Sequence, residues 1–527
     1  TPGVFTNFGG AATRYDTIAL RGFHGGDVDN TFLDGLRIMS DGGSFNILQV
    51  ENWFLDRVDV IKGPSSALYG QTVPGGLVNQ VSKRPQFAEE GHFRLSTGTN
   101  ASNSAAFDYT NAINDQWAFR LTGITRNSDT QYDHTREEKY AISPQLLWQP
   151  SEDTSLVLRA YLQKDPSGGY HGSVPAEGTL YSHNGRKLSD GFYEGDSALD
   201  QFKRHEQIYS YDFSHRFNEV WSVYSTASYS HSNVDLDQVY QIGWDATNPD
   251  LLTRYFSGER SSLSAWANDN RLQADFATGA LQHRVILGAE YHRYKNDLSK
   301  TSGYASSLNP WTGEAVGNMP DYSWTEQTRR YYQTGLYLQD EMQLDRWHLD
   351  LSGRYDRIVS NNGTSRRQDD HISGRAALLY AFDNGISPYA SWSQAITPAS
   401  LTDPYGNQLK PTTSEQYEAG VKYQPVGTRD MYSIALYDLT QNDVANRNVV
   451  DSTFTPSGKV HSQGIELEAR NQLTPRLSTI AGDTLNHPRY KDSVDGNEGH
   501  TPYVTPNSMA SFWGHYQFDY GLSDGAG

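Results

Sequence analysis

From about residue 90 onward, apolar and polar side chains alternate with a period of two, and short turns alternate with long polar connections. In QWAFRLTGITR (116–126), Trp117, Phe119 and Leu121 share one face, while Arg120, Thr122 and Arg126 share the other. TSLVLRAYLQK (154–164) and HSQGIELEAR (461–470) repeat the pattern; in the second, Ile465, Leu467 and Ala469 oppose Glu466, Glu468 and Arg470. A period of two is the signature of a strand with one apolar and one wet face. About 18 such segments are legible, many of them roughly 10–15 residues long. Turns such as SNS (102–104), PSED (150–153), TGA (278–280) and DNG (383–385) contrast with polar excursions at 165–203, 235–261, 297–328 and 442–459. A propeller would show a fixed repeat of about 40–50 residues per blade, and none is found. Short turns at one end and long loops at the other fit an all-β antiparallel transmembrane barrel.

Composition narrows the alternatives. With 34 Tyr, 20 Phe and 11 Trp the chain is 12% aromatic, although its mean hydropathy is strongly polar. Aromatic girdles around a polar lumen account for that combination, as would a large soluble β-protein. The 43 Lys and Arg against 62 Asp and Glu give a net charge of −19, which argues against nucleic acid as the main partner. Without cysteine there are no disulfides or thiolate metal sites. No run of roughly 18 apolar residues suggests a membrane helix.

Residues 1–86 differ, with more glycine and short pieces such as TIALRGF, NTFLDGLRI, WFLDRVDVIKG and GGLVNQVSK. They read as a separate small α+β domain ending near Lys83-Arg84-Pro85, followed by the barrel over 87–527. The Gly-rich stretch KGPSSALYGQTVPGGLVN (62–79) invites a phosphate-loop reading, but GPSSALYG is followed by Gln71 and PGG by Leu77. The lysine such a loop needs is missing in both registers. Neither HExxH nor GxSxG occurs, and the histidines are scattered. No catalytic constellation emerges, and no enzyme is expected.

Four blocks in the first domain, YDTIALRGF (15–23), TFLDGLRI (31–38), LDRVDVIKGPSSALYGQTVPGGLVN (55–79) and VSKRP (81–85), resemble the plug of TonB-dependent siderophore receptors in order and spacing. YLQDEMQLDRWHLDLSGRYD (337–356), EQYEAGVKYQP (415–425), GIELEAR (464–470) and TPNSMASFWGHYQF (505–518) resemble the family's barrel, so the likeness covers almost the whole chain. The LYGQ..PGG form is similar to the ferric hydroxamate branch, the ferrichrome and ferrioxamine receptors. The resemblance implies an outer-membrane barrel of about 22 strands closed around a plug. About 18 of them are visible here, so the chain reads as a longer receptor trimmed at both ends.

It also implies the partners. These are a ferric hydroxamate siderophore, the inner-membrane TonB complex reached through an N-terminal segment not in this sequence, and outer-membrane lipid and lipopolysaccharide. Phage and bacteriocins exploit such receptors. A monomer is expected. No cofactor or metal ligand is implied, because iron arrives inside its chelate.

In this family plug apices and barrel walls contact the ligand. Arg14 and Tyr15 are candidates at the first apex, where Gly9 replaces the ferrichrome receptors' contacting arginine. The second apex offers His24 and Asp27, and at the third Phe45 aligns with a contact tyrosine. SGGYHGSVPAEGTL (167–180) is similar to a ligand-contacting segment and contributes Tyr170 and His171. His171 and Ser173 stand where ferrichrome receptors carry aromatics, which points to a more linear, amide-rich ligand such as a ferrioxamine. Gln238, Tyr240, Tyr304 and Trp311 complete the set, each with an interfacial ring or loop-scaffold role as the alternative. Arg21 and Lys62 match two plug basic residues that face barrel glutamates. Glu466 and Glu468 share the wet face of their strand, so the expectation is a plug–barrel latch of these four. The competing functions are a signalling receptor for another siderophore class and a soluble β-propeller enzyme or lectin.

Overall fold

The computed structural model describes residues 2–6, 14, 16, 18–23, 30–169, 171–317, 319, 321–399, 401–447, 454–493, 496–502 and 505–518. Nineteen strands, from Glu90–Thr97 to Ser508–Tyr516, form one antiparallel barrel sheet in chain order. One of them, Glu314–Val316, is a three-residue ribbon on the extension of Leu281–Asn309. The other eighteen are the wall, as the alternation predicts. Antiparallel pairing runs from the first strand to the last, and the sheet closes with Ser508–Tyr516 next to Glu90–Thr97. A soluble propeller is incompatible with this single barrel sheet.

The wall is inverted relative to a water-soluble sheet, because its polar face is the covered one. Along Trp117–Asp129, Ala118, Arg120 and Thr122 are buried against the interior, whereas Trp117, Phe119 and Leu121 face out. Leu436, Leu287 and Ile372 are 50%, 56% and 73% exposed, while Arg354 and Arg204 are 2% and 3% exposed. Leucines outside and paired arginines inside are stable only where the surroundings are hydrocarbon. Among the described residues, no helix is long and apolar enough to cross a membrane.

Two of the expected loop excursions are largely strand. Trp221–Trp244, Leu252–Thr278 and Leu281–Asn309 run through most of 235–261 and into 297–328. Their ends lack the apolar stripe because they extend past the apolar band, and the stripe was the only strand signal in the sequence.

Inside the barrel, Leu36–Arg37, Thr31–Leu33, Gly76–Ser82 and Leu55–Lys62 form a four-stranded sheet in that order, with a parallel pairing between the second and third. The helical turn Ser66–Tyr69 lies between its last two strands in sequence. The glycines of the 62–79 stretch let backbones touch. A Cβ on Gly75 would fall on the Leu20 carbonyl, and one on Gly76, whose φ is +124°, on the Ile61 carbonyl. The same stretch bonds to the wall: the Ile396 N–H donates to Ser66 Oγ at 3.0 Å, and the Thr72 N–H to the Ile396 carbonyl at 3.3 Å. The chain leaves the small domain over 83–89, where Lys83 Nζ reaches Asp108 at 2.8 Å.

Candidate functional site

Among the contacts between the small domain and the wall, two groups hold the expected site residues, one toward the long loops and one toward the short turns.

Toward the loops, Arg14 is buried and donates from Nη1 to Gln238 Oε1 at 2.6 Å and from Nη2 to the Gly169 carbonyl at 3.3 Å. Its guanidinium lies 5.0 Å from the centre of the Phe202 ring. Gln238 Nε2 donates to the His171 carbonyl, so one amide joins the domain to the 171–200 segment. Burial, with the Arg14 charge adding to it, pushes the His171 imidazole down to about 4, so the ring is neutral at pH 7. Further along the segment, the Ser173 N–H donates to Glu194 Oε1 at 2.9 Å, and Gln241 Nε2 donates to the Ser173 carbonyl at 3.1 Å.

Tyr240 lies two residues beyond Gln238 on the same strand face. It pairs with Tyr255, which pairs with Tyr304. Ring centroids are 6.0 and 5.8 Å apart, giving a row of three tyrosines across three strands. Tyr304 is 67% exposed. The row starts two residues from the Arg14–Gln238 bridge, at the loop end of these strands. Tyr255 was not singled out from the sequence; only the strand register makes it the common neighbour of the other two.

The third apex is bolted to the wall. The Ser44 hydroxyl and the Phe45 N–H both donate to Glu259 Oε1, at 2.5 and 2.8 Å. Arg329 Nε lies 3.0 Å from Asp41, and Lys300 Nζ is 5.6 Å from the centre of the Phe45 ring. Phe45 also packs against Ile47, Phe202, Val234 and Leu236. Trp311 is placed in a loop cluster with Leu188, Phe192, Trp244 and Leu308 rather than in the tyrosine row. Gly9, Tyr15, His24, Asp27 and Tyr170 lie outside the described residues.

Toward the turns, Arg21 donates to both oxygens of Glu466 at 3.1 Å and to Glu418 Oε2 at 2.7 Å. It also donates to Gln416 Oε1 at 2.8 Å, and lies over the Tyr437 ring at 4.3 Å. Lys62 Nζ donates to Glu466 Oε2 at 2.9 Å. Burial disfavours the guanidinium charge, and Glu466 and Glu418 overcome that, holding Arg21 above its ordinary value. Three of the four expected latch residues therefore meet. Glu468 does not join them; it accepts from Arg470 Nε at 2.6 Å, and Glu418 takes the second carboxylate position. The physical reason is height along the strand. Glu418 pairs with Tyr437, which pairs with Gly464, two residues from Glu466 in the loop direction. Glu468 is two residues in the other direction, about 6.6 Å further from the Arg21 fork.

A cavity of about 880 Å³ opens on the turn side of the small domain. Its lining includes Lys62, Leu68, Tyr69, Arg375, Tyr389 and Glu418.

Comparison with known proteins agrees with this geometry. The family described as "TonB dependent receptor-like, beta-barrel" matches residues 147–527, and the "TonB-dependent Receptor Plug Domain" matches residues 1–77. The chain is 60% identical to the ferrioxamine receptor of Yersinia enterocolitica over its whole length and 76% of that protein. It is 31% identical to the ferrichrome outer membrane transporter/phage receptor of Escherichia coli K12, over 98% of the chain and 74% of that protein. The fold matches the ferripyoverdine receptor of Pseudomonas aeruginosa with a TM-score of 0.87 at 18% identity, over 99% of this chain and 71% of that one. An apolar-faced barrel, a latched inner domain, both family matches and these identities carry one conclusion: the chain belongs to the TonB-dependent receptors of the outer membrane.

Proposed function

We propose that this receptor binds a ferric hydroxamate siderophore, of the ferrioxamine type, in a vestibule at the loop end of the barrel and passes it inward when the plug is displaced by the energised inner-membrane complex. The observation that carries the reading is the tyrosine row Tyr240–Tyr255–Tyr304 above the Arg14–Gln238 bridge, in a chain 60% identical to a ferrioxamine receptor. A hydroxamate chelate fills the iron's coordination with its own oxygens and presents methylenes and amides outward. Aromatic faces and amide donors match that surface, so no resident cofactor or protein metal ligand is needed. Iron enters as cargo. The bridge joins the Arg14 guanidinium to a side-chain amide and a carbonyl, acceptors whose place a ligand carbonyl can take while keeping the charge hydrogen-bonded. Phage or bacteriocins using the same exposed loops form a secondary reading, drawn from the phage-receptor name of the ferrichrome relative.

Intrinsic Trp/Tyr fluorescence, titrated with ferrioxamine B, ferrichrome, ferric enterobactin and haem, tests the ligand class. Saturable quenching by ferrioxamine B at submicromolar concentration is expected. Quenching by enterobactin or haem alone would overturn the assignment.

A further inference from the structure

Inward from the tyrosine row, the same two strand faces lead to an ion pair. On Leu252–Thr278 the face of Tyr255 continues through Ser257 to Glu259, and on Leu281–Asn309 the face of Tyr304 continues through Ser302 to Lys300. Each residue stands opposite its counterpart: Tyr255 with Tyr304, Ser257 with Ser302, and Glu259 with Lys300. The Tyr255 hydroxyl donates to Ser302 Oγ at 3.1 Å, joining the row to the level beneath it. The two charged members differ in exposure. The Glu259 side chain is fully buried, holding Ser44 and the Phe45 N–H, whereas the Lys300 side chain is 40% exposed. Lys300 Nζ lies 3.2 Å from Glu259 Oε2, donates to the Gly43 carbonyl of the third apex, and stands 5.6 Å from the centre of the Phe45 ring. An ammonium carries three donors. Two are directed at these oxygens, and the third has no acceptor among the described residues.

We propose that Lys300 is a ligand contact, whose remaining N–H donates to the iron-bound oxygens of the ferric hydroxamate from the floor of the vestibule while the tyrosines cover the chelate's flanks; this rests on the vestibule reading above. An iron-bound hydroxamate oxygen keeps a lone pair and shares the charge of the deprotonated group, so it accepts a charge-assisted bond. A lysine head is compact and sits on a flexible stem, which suits the clustered oxygens of a rounded chelate; a guanidinium fork is shaped for a flat carboxylate. The neighbouring carboxylate sets the selectivity. Three hydroxamates neutralise one ferric ion, so the core of the chelate is uncharged, and a donor whose charge is already balanced by Glu259 matches it. A ferric tris-catecholate keeps an excess of negative charge and meets the Glu259 carboxylate behind the same ammonium. Glu259 thus holds the apex, and Lys300, seated on it, is turned to the cargo.

The test uses the full chain in detergent and the fluorescence titration with ferrioxamine B. Lys300→Met keeps the stem and removes the donors, and the affinity is expected to fall about tenfold to a hundredfold. That variant also strands the buried Glu259 carboxylate. Lys300→Met/Glu259→Gln removes both charges, and the same loss of affinity is expected from it with the urea midpoint for plug proteolysis close to that of the unmodified protein. Ser44→Ala loosens the same apex and leaves the lysine in place; its affinity should fall by less than about threefold. In Glu259→Gln the ammonium is unbalanced, so the ratio of ferric enterobactin to ferrioxamine B affinity should rise, a change that a mere brace of the apex would not produce. Equal ferrioxamine B affinity in the unmodified protein and both Lys300→Met variants would overturn the contact and leave the vestibule reading standing. A loss in Ser44→Ala as large as in the double variant would make Lys300 a brace, and would overturn it too. Absence of quenching by ferrioxamine B in the unmodified protein would overturn both the contact and the reading on which it rests.

Discussion

Arg21 and Arg14 belong to the same plug, yet they meet the barrel in opposite ways. Arg21 is gripped by two carboxylates, Glu466 and Glu418, and shares the first with Lys62. Arg14 reaches a side-chain amide and a backbone carbonyl, and lies over an aromatic ring. Removing one partner of a buried ion pair strands a charge and costs several kcal/mol. A guanidinium's bond to a neutral amide contributes about 1.5–3 kcal/mol and can be exchanged for one to a ligand carbonyl. The difference teaches a division of labour between these two contacts: the charged grip on Arg21 is costly to break, whereas the partners of Arg14 are neutral acceptors of the kind a ligand also carries.

The largest effect that would break this comparison lies at the latch. Glu418→Ala with Glu466→Ala is expected to destabilise the plug by about 3–5 kcal/mol, read as a lower urea midpoint for plug proteolysis with the barrel intact. Next, Gly76→Ala would force a side chain into a φ of +124° against the Ile61 carbonyl. It should cost about 1–3 kcal/mol in the same assay. On the vestibule side, Tyr255→Ala is expected to weaken ferrioxamine B binding roughly tenfold, about 1.4 kcal/mol, while leaving the urea midpoint unmoved.

A pH effect follows from His171. Its folded-state value of about 4 lies below the ordinary imidazole value, so the neutral ring's contribution is complete above the ordinary value and is lost as pH falls toward 4. Proteolysis of the 171–200 segment should therefore accelerate on approaching pH 4, an effect absent in His171→Asn. The smallest effect is the sharpest discriminator: Glu468→Ala, whose partner Arg470 is half exposed, should change stability by less than about 0.5 kcal/mol.

Face was legible in the sequence, and height was not. Alternation puts Glu466 and Glu468 on the same inner face, but the Arg21 fork spans only Glu466 and the level above it. That level is supplied by Glu418 on another strand, a position fixed by the registers through Tyr437 and Gly464. Tyr255 was hidden for the same reason, since nothing local to its own strand reports that Tyr240 and Tyr304 flank it. Trp311 shows the reverse case: an aromatic near the mouth is as useful for stacking loops together, here against Trp244, as for meeting a ligand. The plug motif was legible because its glycines report backbone contacts made within one small domain, such as Gly75 against Leu20.

Uptake and binding of ⁵⁵Fe-ferrioxamine B by cells expressing the complete receptor test the central claim, that holding the ligand and holding the plug are separate tasks of separate residues. For Glu418→Ala/Glu466→Ala the account predicts unchanged surface binding with altered energy-dependent uptake, and for Tyr255→Ala reduced binding with uptake restored at saturating ligand. Equal loss of binding in both variants would contradict it.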